Sequence, residues 1–309
     1  LGCACGGSEI LKVIVVGAGI AGLFTAWALV KRGHAVTLLE QGKIPNPLAA
    51  SGDHHRIIRR AYGAATGYGR AITEAYAAWD ELWHDLGHSH LDPRGFLCVS
   101  REAGDEAEDY RGGLEIGGYP IAIFDPPAAV KRWPFLKKDT FRYAFLSPEG
   151  GALHCRPIAS GMASWLRNRG ADVREGARVV LVDSANARVA LADGQTLSAD
   201  RVVVSAGAWV MKLFPQLADR LTTYRTAVVY LEPPPQLKAA WEGAPVILDV
   251  GGRTDRYIIP PSGGAGLKFG SGLHRQPTHD ADADRAPRSG EGEAIRDLFD
   301  PLISRIDDY

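Results

Sequence analysis

The sequence predicts an α/β protein of two domains: a Rossmann-like nucleotide-binding domain and an α+β domain built on a large mixed or antiparallel sheet. First, a buried-type strand at residues 13–16 runs directly into glycines spaced G-x-G-x-x-G. Second, another buried-type strand at 201–204 ends in a small-residue turn. Third, strand-like segments follow one another between 228 and 270, as in an antiparallel sheet.

The first unit is a nucleotide-binding βαβ motif with its parts in order. Gly17 permits the tight turn after the strand, Gly19 lets a pyrophosphate approach the backbone, and Gly22 allows the following helix to pack closely. The helix at 20–32 presents its N-terminal N–H groups and its dipole to the phosphates. A second strand ends in Glu40, whose carboxylate can accept hydrogen bonds from ribose hydroxyls.

This order of strand, glycines, helix, strand and acid favours dinucleotide binding over a βαβ unit whose glycines serve only packing. The motif does not separate FAD from NAD. The residues expected to contact the nucleotide are Gly17, Ala18, Gly19, Ile20, Ala21, Gly22 and Glu40.

Length and composition describe an ordinary globular protein. The 309 residues suffice for about two domains. A net charge of −1 gives no attraction for nucleic acid or anionic membranes, and no apolar run is long enough to span a bilayer. Four scattered cysteines form no disulfide framework, which favours a reducing compartment. We therefore expect a cytoplasmic protein, monomeric or a small homo-oligomer, that binds neither nucleic acid nor membrane.

Periodicity and turn signals predict the remaining elements. Helices are predicted at 68–86, 102–110, 126–133, 156–169 and 294–306. Strands are predicted at 96–99, 143–146, around 173, and at 179–182, 188–191, 201–204, 228–231, 245–250, 256–259 and 267–270. A turn is predicted at 149–151. The aromatic stripe of the helix at 68–86 is expected in the core, and residues 278–293 are expected to be exposed.

Three arginines follow the loop after the second strand of the nucleotide unit. On a helix, Arg56, Arg59 and Arg60 would share one face while Ile57 and Ile58 turn inward. A ligand lying across the switch point of the sheet would reach this position. A solvated basic face is the alternative.

Three groups of potential metal ligands are interpreted without a metal. They are His84, His88 and His90; Asp280, Asp282 and Asp284; and Cys3 with Cys5. The histidines cross a helix end, the aspartates lack the glycine and terminal glutamate of a calcium loop, and the cysteines have no other soft ligands nearby. We expect no metal site.

The turn at 205–209 is the second marker of a nucleotide-binding sheet. Its small residues, with Gly207 and Trp209, allow a second backbone segment to approach the cofactor. Because the two markers lie far apart, the nucleotide-binding domain must be discontinuous. We assign 10–60 and 150–215 to it, and 61–149 and 216–309 to the second domain.

Four stretches, taken in order, resemble one family: VIVVGAGIAGL, SGDHHRIIRRAYG, RVVVSAGAW and RYIIPPSGGAGLKFG. They are similar to the monomeric sarcosine oxidase and N-methyltryptophan oxidase group of the D-amino-acid-oxidase-like flavoproteins, near which the fructosyl-amino-acid oxidases belong. The resemblance covers residues 12–306. The R-I-I-R-x-A-Y-G segment with the late G-L-K is its most specific part.

The resemblance implies an FAD-binding domain and a substrate domain with a large sheet over the flavin. It implies oxidation of a secondary or primary amine next to a carboxylate, with hydride passing to the flavin. The imine then hydrolyses and oxygen reoxidises the flavin, giving hydrogen peroxide. The implied partners are therefore a small amine and oxygen. The resemblance adds Ser51 and Val179 to the cofactor-binding residues.

The resemblance also assigns the residues of the reaction. Arg59 matches the arginine that holds the substrate carboxylate, a role that suits a planar bidentate donor. Arg56 matches the arginine beside the flavin ring, and Tyr257 would line the substrate pocket. Lys268 matches the lysine that assists oxygen activation, where a positive charge stabilises superoxide. An exposed strand lysine is the alternative for Lys268.

The chain departs from the family pattern in three places. Gly272 stands where the pocket histidine falls, and His274 lies two residues further on. The segment before Arg56 reads Asp-His-His. The family's flavin-linking cysteine, a second carboxylate-binding lysine and the last flavin-contacting loop fall beyond Tyr309, so we expect the closing segment of the FAD domain to be missing.

Two other interpretations stay open at this point. One is a dehydrogenase that passes electrons to a quinone or a protein, against which Lys268 argues. The other is a truncated fragment without catalysis that binds nucleotide weakly or not at all.

Overall fold

The computed structural model describes residues 9–63, 66–250, 255–278 and 280–309. Cys3 and Cys5 lie outside the described residues. The strands are β1 Lys12–Val16, β2 Ala35–Glu40, β3 His55–Arg59, β4 Leu91–Asp92, β5 Phe96–Ser100, β6 Ala122–Phe124, β7 Tyr143–Ser147, β8 Gly150–His154, β9 Asp172–Glu175, β10 Val179–Asp183, β11 Arg188–Leu191, β12 Thr196–Ser198, β13 Arg201–Val204, β14 Thr223–Leu231, β15 Val246–Val250, β16 Arg256–Ile259 and β17 Leu267–Thr278. The α-helices are α1 Ile20–Lys31, α2 Thr66–Leu86, α3 Glu106–Ile116, α4 Pro126–Arg132, α5 Cys155–Asn168, α6 Val210–Leu213, α7 Lys238–Glu242 and α8 Glu291–Asp297, and 3₁₀ turns occur at Gly207–Trp209, Pro215–Asp219, Pro235–Leu237 and Ile306–Asp308.

The chain divides into two compact units. Unit 1 comprises 1–53 and 155–223, and unit 2 comprises 54–154 and 224–309. The expected domain boundaries were 60/61, 149/150 and 215/216. As a result, β3, which carries two of the predicted site arginines, belongs to unit 2.

Unit 1 contains a four-stranded sheet in the order β13-β1-β2-β9, and its three strand pairs are all parallel. The β-branched residues of β1 suit this central place because both faces of the strand are covered, and residues 13–16 are buried. The helices α1 and α5 contact each other in this unit. The predicted Rossmann-like βαβ arrangement is confirmed.

A three-stranded antiparallel sheet, β10-β11-β12, completes unit 1. Val189 and Leu191 of β11 pack with Ile14, Val16 and Leu39 of the parallel sheet. Residues separated by 150 positions or more in the chain thus share one apolar cluster, which holds the ends of β1 and β2 in place.

Unit 2 is built on a seven-stranded sheet in the order β14-β17-β16-β15-β5-β7-β6. The pair β15/β5 is parallel, and the pairs β15/β16, β16/β17, β5/β7 and β6/β7 are antiparallel. The predicted large mixed sheet is therefore confirmed.

The alternation of β5 explains why this sheet has a core on each face. Leu97 and Val99 belong to one apolar cluster, and Phe96 and Cys98 belong to another. All five residues of the strand are buried for this reason.

Residues 56–59 form a strand, so the helix predicted from the spacing of the arginines is wrong. Strand β3 pairs antiparallel with β8, which also pairs with β4 in a three-stranded sheet.

The turn predicted at 149–151 is wrong for its last two residues. Gly150 and Gly151 are the first residues of β8 and pair with Arg59 and Ile58. Added Cβ atoms at these glycines would clash with neighbouring backbone, at 2.8 Å from Ile58 O and 1.9 Å from Asp92 O.

Two helices differ from expectation in burial or length. The stripe of α2 is half-buried rather than core; among its aromatic and large apolar positions in the described range only Leu82 is fully buried. The C-terminal helix predicted at 294–306 is the shorter α8, followed by turns that still bury Phe299, Leu302 and Ile303. Glu291, in the stretch expected to be exposed, is buried.

Within the described residues, no helix combines the length and the apolar character needed to cross a lipid bilayer.

Candidate functional site

Three chain segments of unit 1 meet at the glycine turn after β1. A Cβ atom on Gly17, which has φ +97°, would lie 2.5 Å from Ser205 O, and one on Gly22 would lie 1.8 Å from Gly17 O. Both distances are far below van der Waals contact. The two glycines are therefore required by the close approach of the turn, helix α1 and the segment after β13.

Gly19 has a different environment from these two packing glycines. A Cβ atom there would meet only Ser51 Oγ, at 3.6 Å. Gly19 is the N-cap of α1, and the N–H of Ile20 donates to Ser51 Oγ at 3.1 Å. Ala21 follows in the first turn, where N–H groups lack intrahelical acceptors. This surface can be approached by a phosphate group.

Glu40 is buried at the end of β2 and holds the surrounding loops. Its Oε2 accepts from the N–H of Ala18 at 2.8 Å, and its Oε1 accepts from the N–H of Gly42 and from Asn46 Nδ2, both at 2.9 Å. The carboxylate thus fixes the glycine turn against the loop after β2. Its expected contact with ribose stays a prediction.

The remaining predicted cofactor residues lie around the same sheet. Gly207 has φ +53° and begins the short 3₁₀ turn that ends at the half-buried Trp209. Val179, in β10, packs against the apolar cluster of Val16 and Leu39. The glycine turn, an approachable helix N-terminus and an acid at the end of β2 are the features that a dinucleotide requires, so these residues fit such a group.

Unit 2 contains a cavity of about 250 Å³. Three of the four predicted catalytic residues, Arg56, Arg59 and Tyr257, line it. Among the residues that the structure describes, the lining consists of Arg56, Ile57, Arg59, Glu106, Tyr110, Leu248, Asp255, Arg256, Tyr257 and Ile259.

Arg59 is held by aromatic rings rather than by an acid. Its guanidinium carbon lies 4.8 Å from the ring centroid of Tyr62 and 5.7 Å from that of Tyr110, and its Nε donates to Ala61 O at 3.1 Å. Among the described residues no carboxylate lies within ion-pair distance of this guanidinium. Burial raises the pKa of Tyr110, and the charge of Arg59 opposes that rise. An arginine held in this way is available to an anionic ligand.

Lys268 is fully buried in β17, so the alternative of an exposed strand lysine is wrong. Its Nζ donates to His55 O at 3.4 Å and lies 5.5 Å from the ring centroid of Tyr257. The ring of Tyr257 lies over Gly270, where an added Cβ would be 2.4 Å from Tyr257 Cζ. Strands β16 and β17 therefore bring the predicted lysine and the predicted tyrosine together.

Two acids of the cavity, Glu106 and Asp255, were not found from the sequence. A Cβ atom on Gly272 would lie 1.9 Å from Asp255 Oδ2, so the carboxylate of Asp255 fills the space over that glycine. His274 instead makes a 3.0 Å contact with Glu291 and is absent from the described lining of the cavity. The only sequence feature that pointed to this arrangement was Gly272, which stands where the family's pocket histidine falls.

None of the described histidines and aspartates considered as metal ligands lines this cavity. Among the described residues, no three His, Cys, Asp or Glu side chains are arranged to hold a metal ion. His84 and His88 are exposed, as are Asp280, Asp282 and Asp284.

Comparisons with known proteins agree with this architecture. Residues 12–308 match the family model described as FAD dependent oxidoreductase (DAO). Human peroxisomal sarcosine oxidase is 27% identical over 224 residues, which cover 72% of this chain and 57% of the relative. Monomeric sarcosine oxidase from Bacillus sp. strain B-0618 is 28% identical over 272 residues, covering 85% of this chain and 68% of the relative.

Solved structures share the fold. NikD, described as an unusual amino acid oxidase essential for nikkomycin biosynthesis, superposes with a TM-score of 0.79 at 19% identity over 96% of this chain and 78% of NikD. L-Proline dehydrogenase from P. horikoshii gives a TM-score of 0.77 at 20% identity, over 97% and 79% of the two chains. Since the match to the family model extends over nearly the whole sequence, the chain belongs to the DAO family of FAD-dependent oxidoreductases.

Proposed function

We propose that this chain takes part in the FAD-dependent oxidation of an amino-acid-type amine to an imine, with oxygen reduced to hydrogen peroxide. The substrate would be an N-methyl or other secondary amine, or a primary amine, next to a carboxylate. One observation carries the proposal: in a single cavity Arg59 has its guanidinium free of any acid among the described residues, while Tyr257, which lines the same cavity, contacts the buried Lys268. The relatives named sarcosine oxidase and N-methyl-L-tryptophan oxidase support this substrate class.

The residues of unit 1 would hold the cofactor. The pyrophosphate would lie against Gly17–Gly22, with Ser51 beside the first turn of α1, and the adenosine part near Glu40 and Val179. Gly207 and Trp209 belong to the second turn beside the glycines. When bound, FAD would accept the hydride from the substrate carbon and return the electrons to oxygen.

Arg59 would hold the substrate carboxylate. A planar guanidinium can donate two parallel hydrogen bonds to a carboxylate, and this fixes both the position and the orientation of the amine carbon. The rings of Tyr62 and Tyr110 keep the side chain in that position without neutralising it.

The remaining predicted residues would act beside the reacting atoms. The ammonium of Lys268, shielded from water by full burial, would favour electron transfer to oxygen by stabilising the negative charge that develops there. Arg56 would contribute positive charge at the flavin ring, and Tyr257 would form a wall of the substrate pocket.

The test is a spectroscopic titration of the purified protein loaded with FAD. Sarcosine or N-methyl-L-tryptophan should bleach the flavin absorbance anaerobically, and air should restore it with one hydrogen peroxide per amine oxidised. Restoration by a quinone but not by air would assign a dehydrogenase instead. A protein that takes up FAD and is bleached neither by these amines nor by primary amino acids, lysine and arginine included, would contradict the proposal.

Arg59→Ala and Arg70→Ala form a matched pair, because Arg70 is an exposed arginine of α2 outside the lining of the cavity. Loss of a charge-assisted bidentate contact should raise the Kd of a carboxylate ligand at least tenfold in the first variant and leave it unchanged in the second. Equal affinities in the two variants would remove Arg59 from its role.

A further inference from the structure

Asp255 takes the space that a side chain at position 272 would occupy. Its carboxylate reaches over Gly272, and its backbone O accepts from the N–H of Gly272 at 2.9 Å. The residue adopts φ +43°, in the left-handed region that aspartate tolerates better than most residues. A larger residue at position 272 would collide with the carboxylate of Asp255, so this arrangement requires glycine there. The same carboxylate lines the cavity.

Glu106 lines the same cavity, and its acidic neighbours have other functions. Asp105 caps α3 by accepting from the N–H of Glu108, and Glu108 pairs with Arg142. Glu106, the first residue of α3, makes neither an ion pair nor a side-chain hydrogen bond among the described residues. The same holds for the carboxylate of Asp255.

Cationic and anionic side chains thus line the same cavity. Arg59 and two further arginines line it, and one of those, Arg256, donates a terminal N–H to Leu298 O. Asp255 is exposed and Glu106 is half-buried. A carboxylate that has no partner among the described residues is available for a charge-assisted hydrogen bond to a ligand that brings its own positive charge. The volume, about 250 Å³, lies just below the range of ~300–1,000 Å³ that is typical for drug-sized ligands, so it suits a single amino acid.

We propose that Asp255 and Glu106 form a subsite for a cationic side chain, so that the preferred substrate is an amino acid with a basic side chain. The inference rests on the proposed function for the use of the cavity, with Arg59 binding the carboxylate of the same molecule. Asp255 and Glu106 determine specificity by contacting the substrate's side chain, and the chemistry at the amine carbon is unaffected.

Binding of matched ligands tests the subsite without turnover. Each enantiomer of lysine and of the nearly isosteric, uncharged norleucine is titrated into the FAD-loaded protein by isothermal calorimetry. Arginine and citrulline form a second pair. We expect the cationic member to bind about tenfold or more tightly, as a charge-assisted hydrogen bond allows.

Asp255→Asn and Glu106→Gln should reduce this preference to threefold or less, while the affinity for norleucine stays the same. Glu102→Gln is the matched control, because it removes the same charge from an exposed residue outside the cavity lining and should retain the wild-type ratio. Equal affinity for lysine and norleucine in the wild type, a preference that survives in both cavity variants, or no binding of either ligand would overturn the subsite.

Different observations would contradict the proposed function and the subsite. If no amine bleaches the flavin but lysine still binds preferentially through Asp255 and Glu106, the subsite stands and amine oxidation does not. If the flavin is bleached by neutral and basic amines with equal efficiency, oxidation stands and the subsite does not.

Discussion

The contact of Tyr257 with Gly270 provides a sharp test of the cavity, through Gly270→Ala. The added methyl carbon would lie 2.4 Å from Tyr257 Cζ and 2.5 Å from its hydroxyl oxygen, about 1 Å short of the 3.4 Å at which ordinary contact begins. The ring must therefore move by about 1 Å or the strands must separate. Overpacking of this kind costs about 1–3 kcal/mol of the free energy of unfolding.

The displaced ring should impair the reaction more than the fold. A misplacement of about 1 Å in a substrate-positioning group can lower a rate about 100-fold. The assay is the rate of anaerobic flavin bleaching by an amine substrate, with thermal melting measured in parallel. Gly266→Ala is the control, because a Cβ there meets its nearest atom, Tyr230 Cδ1, at an unstrained 3.8 Å. Equal bleaching rates in the two variants would refute the assignment of Tyr257 to the substrate pocket.

Three further predictions concern other parts of the molecule. Gly22→Ala places a Cβ 1.8 Å from Gly17 O and should abolish FAD retention in gel filtration. Gly33→Ala is the control, because Gly33 has φ +83° and a Cβ there would meet no atom within 4 Å. This control variant should lose about 1 kcal/mol of stability and retain the flavin. Lys268→Met should slow reoxidation of the reduced flavin by air in stopped-flow absorbance while its anaerobic bleaching stays fast; an unchanged oxygen rate would contradict the assignment. The hydrogen bonds from Arg225 hold the pKa of Glu291 far below its ordinary value of 4.5. The ionised Glu291 therefore contributes fully to stability above pH 4.5, and this contribution declines as the pH falls below 4.5. The melting temperature of Glu291→Gln should depend less on pH in this acidic range than that of the wild type.

Local sequence signals were sufficient wherever one segment determines its own structure. The run Val13–Val16, the three glycines and the acid at position 40 specify strand, turn, helix and strand without help from the rest of the chain. The buried lysine of β17 could be located only through the resemblance, because a lone lysine in a strand-like segment is also typical of an exposed position.

Long-range pairing explains what the sequence could not predict. The spacing of Arg56 and Arg59 fits a helix face as well as a strand, and the pairing of β3 with β8, about 95 residues later, decides between the two. The contact of Asp255 with Gly272 depends in the same way on the register of β16 against β17. No local pattern encodes the seven-strand order or the burial of Glu291 beside Arg225.

The position of β1 has a consequence for synthesis on the ribosome. One edge of β1 pairs with β2, but its other edge waits for β13, and the Lys12 N–H reaches its acceptor on Asp200 across 188 residues. A nascent chain therefore exposes an unpaired, strongly apolar strand edge until synthesis has passed residue 200. Ribosome-bound intermediates that stop before residue 201 should bind chaperones, and the release of those chaperones should coincide with emergence of the last strand of this sheet.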